Sequence, residues 1–283
     1  MQEESSKSHQ REPWKANLSL TLAPLHHKTR VIKSRHAGPL RIQRPFYPEE
    51  HCCHLYLLHP PGGLASKDEL TLNVQLKSNA HALMTAPGAT KFYRSSGDDA
   101  VVSQTFVVED NAALEWLPHE NIFFNGSQSK TQTAIYLKDS SQYIGWEMNS
   151  LARPANQEPF SEGNILSTLR IYRNKTLLLH ESFCISSATN LQSKAGMQGF
   201  TMQGTLVVHL TKVLSADDAR TMIENLSIPR PFVFGVTIVD KLLVVRVLSD
   251  FAETIRNIFI PLWVWLRKAL LNKEAIEPRI WLT

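Results

Sequence analysis

The sequence predicts a mainly β protein, irregular stacked β-sheets forming a β-helical coil, with two α-helices near the C-terminus. Three observations predict it. Apolar and polar residues alternate with period two in many short runs up to about residue 212. Turn-forming Gly, Pro, Asn and Ser clusters separate those runs, and three- and four-residue apolar spacing appears only beyond them.

Taken in order, Leu18, Leu20 and Leu22 alternate with Ser19 and Thr21, and Leu70, Leu72, Val74 and Leu76 alternate with Thr71, Asn73 and Gln75. The same pattern marks strands over residues 101–108, 132–137, 143–148, 167–172, 176–183 and 204–210. Pro60-Pro61-Gly62-Gly63, Ala86-Pro87-Gly88, Ser95-Ser96-Gly97 and Asn125-Gly126 supply the breaks. No fixed period links the strands, so an ordinary repeat solenoid is not expected. Ser215 with Asp218 three residues on reads as a capping-box variant opening a helix to about Leu226. Residues 232–248 form a strand pair around Asp240-Lys241. Asp250 with Glu253 opens a second helix, whose stripe is Phe251, Ile255, Ile258, Phe259, Leu262, Leu266 and Leu270; Pro261 inside it should kink or break it. Residues 156–162 are polar and turn-like but too short for a linker. The expected organisation is a flexible tail over 1–13 and a single β-rich domain over 14–283.

The 283 residues are 43% apolar and 20% charged, ordinary for a globular chain and unlike a disordered or collagen-like one. Three cysteines, two of them adjacent (Cys52 and Cys53), do not make a disulfide framework and predict a reducing compartment. The first sixteen residues carry no secretory signal, so the Asn17-Leu18-Ser19 sequon has no consequence and the expected location is cytoplasmic. Residues 257–266, the most apolar run, fall short of the ~20 that span a membrane and are flanked by Arg256 and Arg267. The net charge of +4 sits wholly in residues 1–54, where nine Lys/Arg face five Asp/Glu. Such a segment suits an acidic partner or exposed strand faces. Without an aromatic-interleaved motif or zinc-finger spacing, no nucleic-acid partner is expected.

No G-x-S-x-G, phosphate loop, dinucleotide fingerprint or HExxH occurs, so the chain is read as a non-enzyme. His51-Cys52-Cys53-His54 groups four metal-ligand types, but on a strand His51 and Cys53 face away from Cys52 and His54. Small buried thiols at a strand end are the simpler reading. Among acids, Glu181 shares a strand face with Leu177, Leu179 and Phe183, which should point inward; a buried carboxylate must be paired, hydrogen-bonded or metal-bound. Pairing with an Arg and a functional role are both open for it. Glu147 alternates with Ile144, Trp146 and Met148 and should be solvated, Glu115 is ambiguous, and Asp68 reads as a surface-loop residue.

The motifs also occur in a telling order. GPLRIQRPFYPE at 38–49 precedes LLHPPGGL at 57–64 and HALMTAPGATKFYRS at 81–95. LEWLPHENIFF at 114–124, GWE at 145–147, LLVVR at 242–246 and PRIW at 278–281 follow. Any one is weak, but the ordered set, from about Trp14 to the C-terminus, closely resembles the UreD (UreH) family of urease accessory proteins. The resemblance implies a non-catalytic, cytoplasmic maturation factor. Such a factor acts with UreF-like and UreG-like partners, the latter a GTPase, and docks on apo-urease to help deliver nickel to its two-nickel centre. It also implies stacked sheets in an irregular coil and an internal water-filled passage for nickel. The family's passage positions fall on Asp68, Thr90, Glu147 and Glu181.

Two departures from the family pattern stand out. Ser66-Lys67 replaces Gly-Gly before Asp68, and His119 stands where Gln is usual, either as a nickel ligand or as a neutral stand-in. Glu147 and Glu181 are therefore expected to hold nickel transiently, with Asp68, Thr90, Glu115, His119 and Glu120 lining the passage and no tightly bound cofactor. Sparse carboxylates suit such a path, because a closed thiolate cage would not release the ion. Phe259, Trp263 and Trp265, with Trp281, offer an aromatic surface for partners, or cap the β stack. The alternatives are a purely structural scaffold without metal contact, and an enzyme using His119 and Glu120, whose adjacency on a strand makes them diverge.

Overall fold

The computed structural model describes residues 12–152, 158–186 and 189–282. The tail expected over 1–13 lies almost wholly outside the described residues, as does the start of the 156–162 turn.

Among the described residues, seventeen strands and three α-helices follow one another along the chain. The strands used below are β1 (Lys15–Leu25), β2 (Lys28–Ala37), β3 (Arg41–Ile42), β4 (Cys53–Leu58), β5 (Glu69–Leu76), β6 (His81–Thr85), β7 (Thr90–Phe92), β8 (Ala100–Val108), β9 (Ala113–Trp116), β10 (Asn121–Phe123), β11 (Gln128–Leu137) and β12 (Gln142–Leu151). They continue with β13 (Asn164–Arg173), β14 (Thr176–Ile185), β15 (Met202–His209), β16 (Phe232–Val239) and β17 (Leu242–Ser249). The helices are α1 (Thr189–Gln192), α2 (Ala216–Glu224) and α3 (Ala252–Leu266).

The chain winds as a coil. A seven-stranded sheet runs β14-β13-β11-β8-β5-β1-β2, and the five strands from β13 to β1 are parallel. The facing sheet runs β16-β17-β15-β12-β9-β6-β4-β3, with β12 to β4 parallel. β7 and β10 add short parallel rungs beside β12. Glu69, Val101, Lys130 and Leu166 stand side by side on successive rungs. Their unequal spacing in sequence is why a solenoid geometry leaves no repeat to detect. Antiparallel hairpins, β1–β2 and β13–β14, finish the parallel run at both ends.

The molecule has three layers. Leu18, Leu72, Phe106, Ile135 and Ile171 of the first sheet pack against Leu55, Met84, Leu114 and Trp116 of the second. The second sheet's other face, with Ile144, Trp146, Met148, Leu206 and Val245, packs against Ile223, Ile255, Phe259 and Leu262 of the helices. Strands covered on both sides lose their alternation: β4, β6 and β9 are apolar-rich and buried nearly throughout. Four of the nine basic residues in residues 1–54, Lys28, Arg30, Lys33 and Arg35, lie on β2, an exposed edge strand, where charge blocks further pairing.

Four local expectations change. Ser215 caps α2 by accepting from the Asp217 amide at 3.0 Å, one residue short of the capping-box partner. Asp250 does not cap α3; it accepts from the amide and hydroxyl of Thr201, both at 3.0 Å, and Phe251 takes the cap position without a side-chain bond. α3 also runs through Pro261, then widens into a π turn over Arg267–Leu271. An interior Pro costs a helix about 3 kcal/mol, whereas each buried side chain such as Ile255, Ile258, Phe259 or Leu262 contributes roughly 1.5–3 kcal/mol, so the stripe prevails. Finally, a bulge where Ile171 and Tyr172 face Leu179 and Leu177 turns Leu177 out to 47% exposure, away from the inward face expected for it.

Candidate functional site

The interior between the sheets is polar at its centre. β11 turns Ser129, Thr131 and Thr133 inward, in phase with Ile135 and Leu137. The hydroxyls of Ser127, Ser129 and Thr131 are buried and make no hydrogen bond among the described residues. Buried hydroxyls are ordinarily bonded, so these are unusual, although none of the three lines the cavities described next.

Glu147 stands in this interior, against the expectation that it is solvated. Period two still holds on β12, but both faces are covered: Trp146 and Met148 meet the helices, while Glu147 meets the other sheet. It accepts from the Thr133 hydroxyl at 2.5 Å. Burial, with Glu181 nearby, raises its carboxyl pKa against the lowering effect of Thr133 and Ser167. Two cavities meet at it. One, of about 600 Å³, is also lined by Ser167, Glu181, Gln203, Thr205 and Arg246. The other, of about 410 Å³, is also lined by Thr90, Gln104, His119 and Asn121. Among the described residues Glu147 is the one that lines both.

Glu181 reaches the first cavity from β14 and is gripped by Arg246 of β17, with Nε to Oε1 at 2.7 Å and Nη2 to Oε2 at 2.8 Å. Thr205 adds a longer bond at 3.3 Å. Arg246 is half exposed, so this fork stands at the cavity's mouth. The sequence reading left pairing and function both open for Glu181; the pairing is present, beside a void.

His119 lines the second cavity. Arg256 Nη1 lies 3.2 Å from His119 Nδ1, and His119 Nε2 is buried with no hydrogen-bond partner among the described residues. Glu120 lies beside it, outside both cavities; burial works against its charge, but His119 and Arg256 hold the carboxyl below its ordinary range.

Three expectations are corrected. Asp68 is neither a surface residue nor part of the cavity lining: it is 1% exposed and accepts from the amides of Trp14 at 2.6 Å and Ala65 at 2.7 Å, tying the start of β1 to the turn before β5. Glu115 is buried but faces the helices, outside both cavities. It meets His81 Nε2 at 2.6 Å, Trp263 Nε1 at 2.5 Å and Arg267 Nε at 3.2 Å. Phe259 and Trp263 are fully buried under α3, and Trp265 is half-buried against the same core. Trp263 packs edge-on to Trp281, whose indole donates to Thr85 at 3.1 Å. The aromatics cap the β stack and do not form an exposed surface. Thr133, Ser167, Thr205 and Arg246 escaped the sequence reading; the signal for Thr133 was hydroxyls in phase with the apolar face of β11.

Fold and site together define a class: a parallel β coil, backed by helices, that encloses carboxylates in adjoining cavities. A family model described as UreD urease accessory protein matches residues 15–282. A urease accessory protein UreD of Alcanivorax borkumensis is 44% identical over 90% of this chain and 86% of its own length. Those of Aliivibrio fischeri and Vibrio parahaemolyticus are 39% and 40% identical, each over 95% of this chain and 96% of their own. The chain belongs to the UreD family of urease accessory proteins.

Proposed function

We propose that the protein is a non-catalytic, cytoplasmic factor in the maturation of urease. It bridges apo-urease and a complex of UreF-like and UreG-like proteins, and nickel crosses its polar interior past Glu147. The observation that carries this reading is the position of Glu147, a half-buried carboxylate common to two cavities. Its raised pKa makes it hold a proton more readily than a free carboxylate, and a divalent ion nearby pulls the other way, to be held by one carboxylate and neighbouring hydroxyls. Weak oxygen ligation of this kind lets a borderline ion move on. Opening the Glu181–Arg246 fork would free a second carboxylate at the mouth.

The fork also favours a second reading. Glu181 has both oxygens engaged by Arg246, as in a protein whose strand stack serves only as a scaffold. Nickel-dependent activation of apo-urease by complexes carrying Glu147→Ala separates the two. With complex assembly intact, the passage reading expects activation to fall by about tenfold or more. Full activation leaves only the scaffold.

A further inference from the structure

Under α3, on the far side of the second sheet from the cavities described above, lies a separate group of metal-ligand side chains. Cys52 stands at the head of β4, His81 opens β6 and Glu115 lies on β9, three neighbouring strands. One potential ligand atom from each lies within 4.8 Å of the others, and all three residues are buried. The strand geometry that parts Cys52 from Cys53 thus points it at donors far away in sequence. We propose that Cys52, His81 and Glu115 form a divalent-cation site of the zinc class, separate from the nickel passage, with its fourth position open.

Two features support it. The donors are a thiol, an imidazole and a carboxylate, a mixture that suits a borderline ion with three protein ligands. There is also an approach from outside: His81 lines a third cavity of about 270 Å³, also lined by Lys28, His51, Asn79, Gln142 and Lys273. Binding one M²⁺ displaces the Cys52 thiol proton to solvent and replaces the hydrogen bond between His81 and Glu115, whose proton moves to the other ring nitrogen of His81.

The experiment is cobalt titration of the full-length protein. The expected result is one cobalt per chain, with a thiolate charge-transfer band that zinc abolishes by competition. Cys52→Ala should lose the band and His81→Gln should weaken cobalt binding by about tenfold or more. Cys53→Ala, the exposed-thiol control Cys184→Ala and Glu147→Gln should keep it. X-ray absorption of the zinc-loaded wild type, which needs no variant to fold, should give one sulfur among nitrogen and oxygen neighbours. A band that survives Cys52→Ala, a band lost with Cys184→Ala, or a shell without sulfur overturns the proposal and leaves an ion-pair network only.

Discussion

Arg267 shows what one residue can hold together. It is fully buried and meets Glu49 through Nη2 at 2.5 and 2.6 Å, Glu115 through Nε, and the carbonyl of Glu274. Arg267→Met strands two carboxylates and should destabilise the protein by about 3–5 kcal/mol, measured by urea unfolding. Burial alone would raise Glu49, but hydrogen bonds from His54 and Arg267 win and bring its pKa from 4.5 down to about 2. A depressed folded pKa contributes stability above the unfolded value, and this part should be lost as pH falls from about 4.5 through 2, leaving a flatter acid limb in Glu49→Gln. Glu147 has the opposite sign: its raised pKa makes the folded state lose stability as pH rises through that value. Glu147→Gln should therefore be at least as stable as the parent at neutral pH in denaturant titrations, whatever it does to nickel transfer. Residue chemistry was only partly legible. Period two placed Glu147 opposite Trp146 correctly, but a strand pattern does not say how many faces a sheet has covered.

At the scale of elements, alternation found the half-buried strands β1, β5, β8 and β11. It missed β4, β6 and β9, where both faces are buried and no alternation survives. The same coverage hid the fate of the late aromatics, since a stripe on α3 reads alike whether it meets a partner or its own sheet. The α3–sheet contact depends on a residue with no side chain. A Cβ on Gly204 of β15 would come within 2.6 Å of Ile255 and 2.9 Å of Phe259. Gly204→Ala should push α3 off the sheet and cost about 1–3 kcal/mol, visible as a lower urea midpoint. Gly204 carries no sequence signal of its own, because the clash comes from residues about fifty positions later.

For the whole molecule, the fold class and the number of late helices were readable, whereas the winding was not. Parallel rungs of unequal length satisfy the same backbone bonds as a regular repeat without repeating any residue. Depth then sets local stability. β12 lies between β9 and β15 and is covered on both faces, so hydrogen exchange should be slowest in its amides and fastest along the outer edges of β2 and β14. Equal protection in β12 and β2 would contradict this layering.

The hairpins at the two ends of the parallel run settle how long the enclosure can be. Because the terminal strands fold back antiparallel, the run of parallel rungs in the seven-stranded sheet stops at β1 and β13, and the edge that β2 still presents is guarded by its charges. Loop insertions can lengthen the rims without adding a rung, so the height of the five-strand parallel stack in this sheet is a fixed dimension of the protein, like the bore of a gauge.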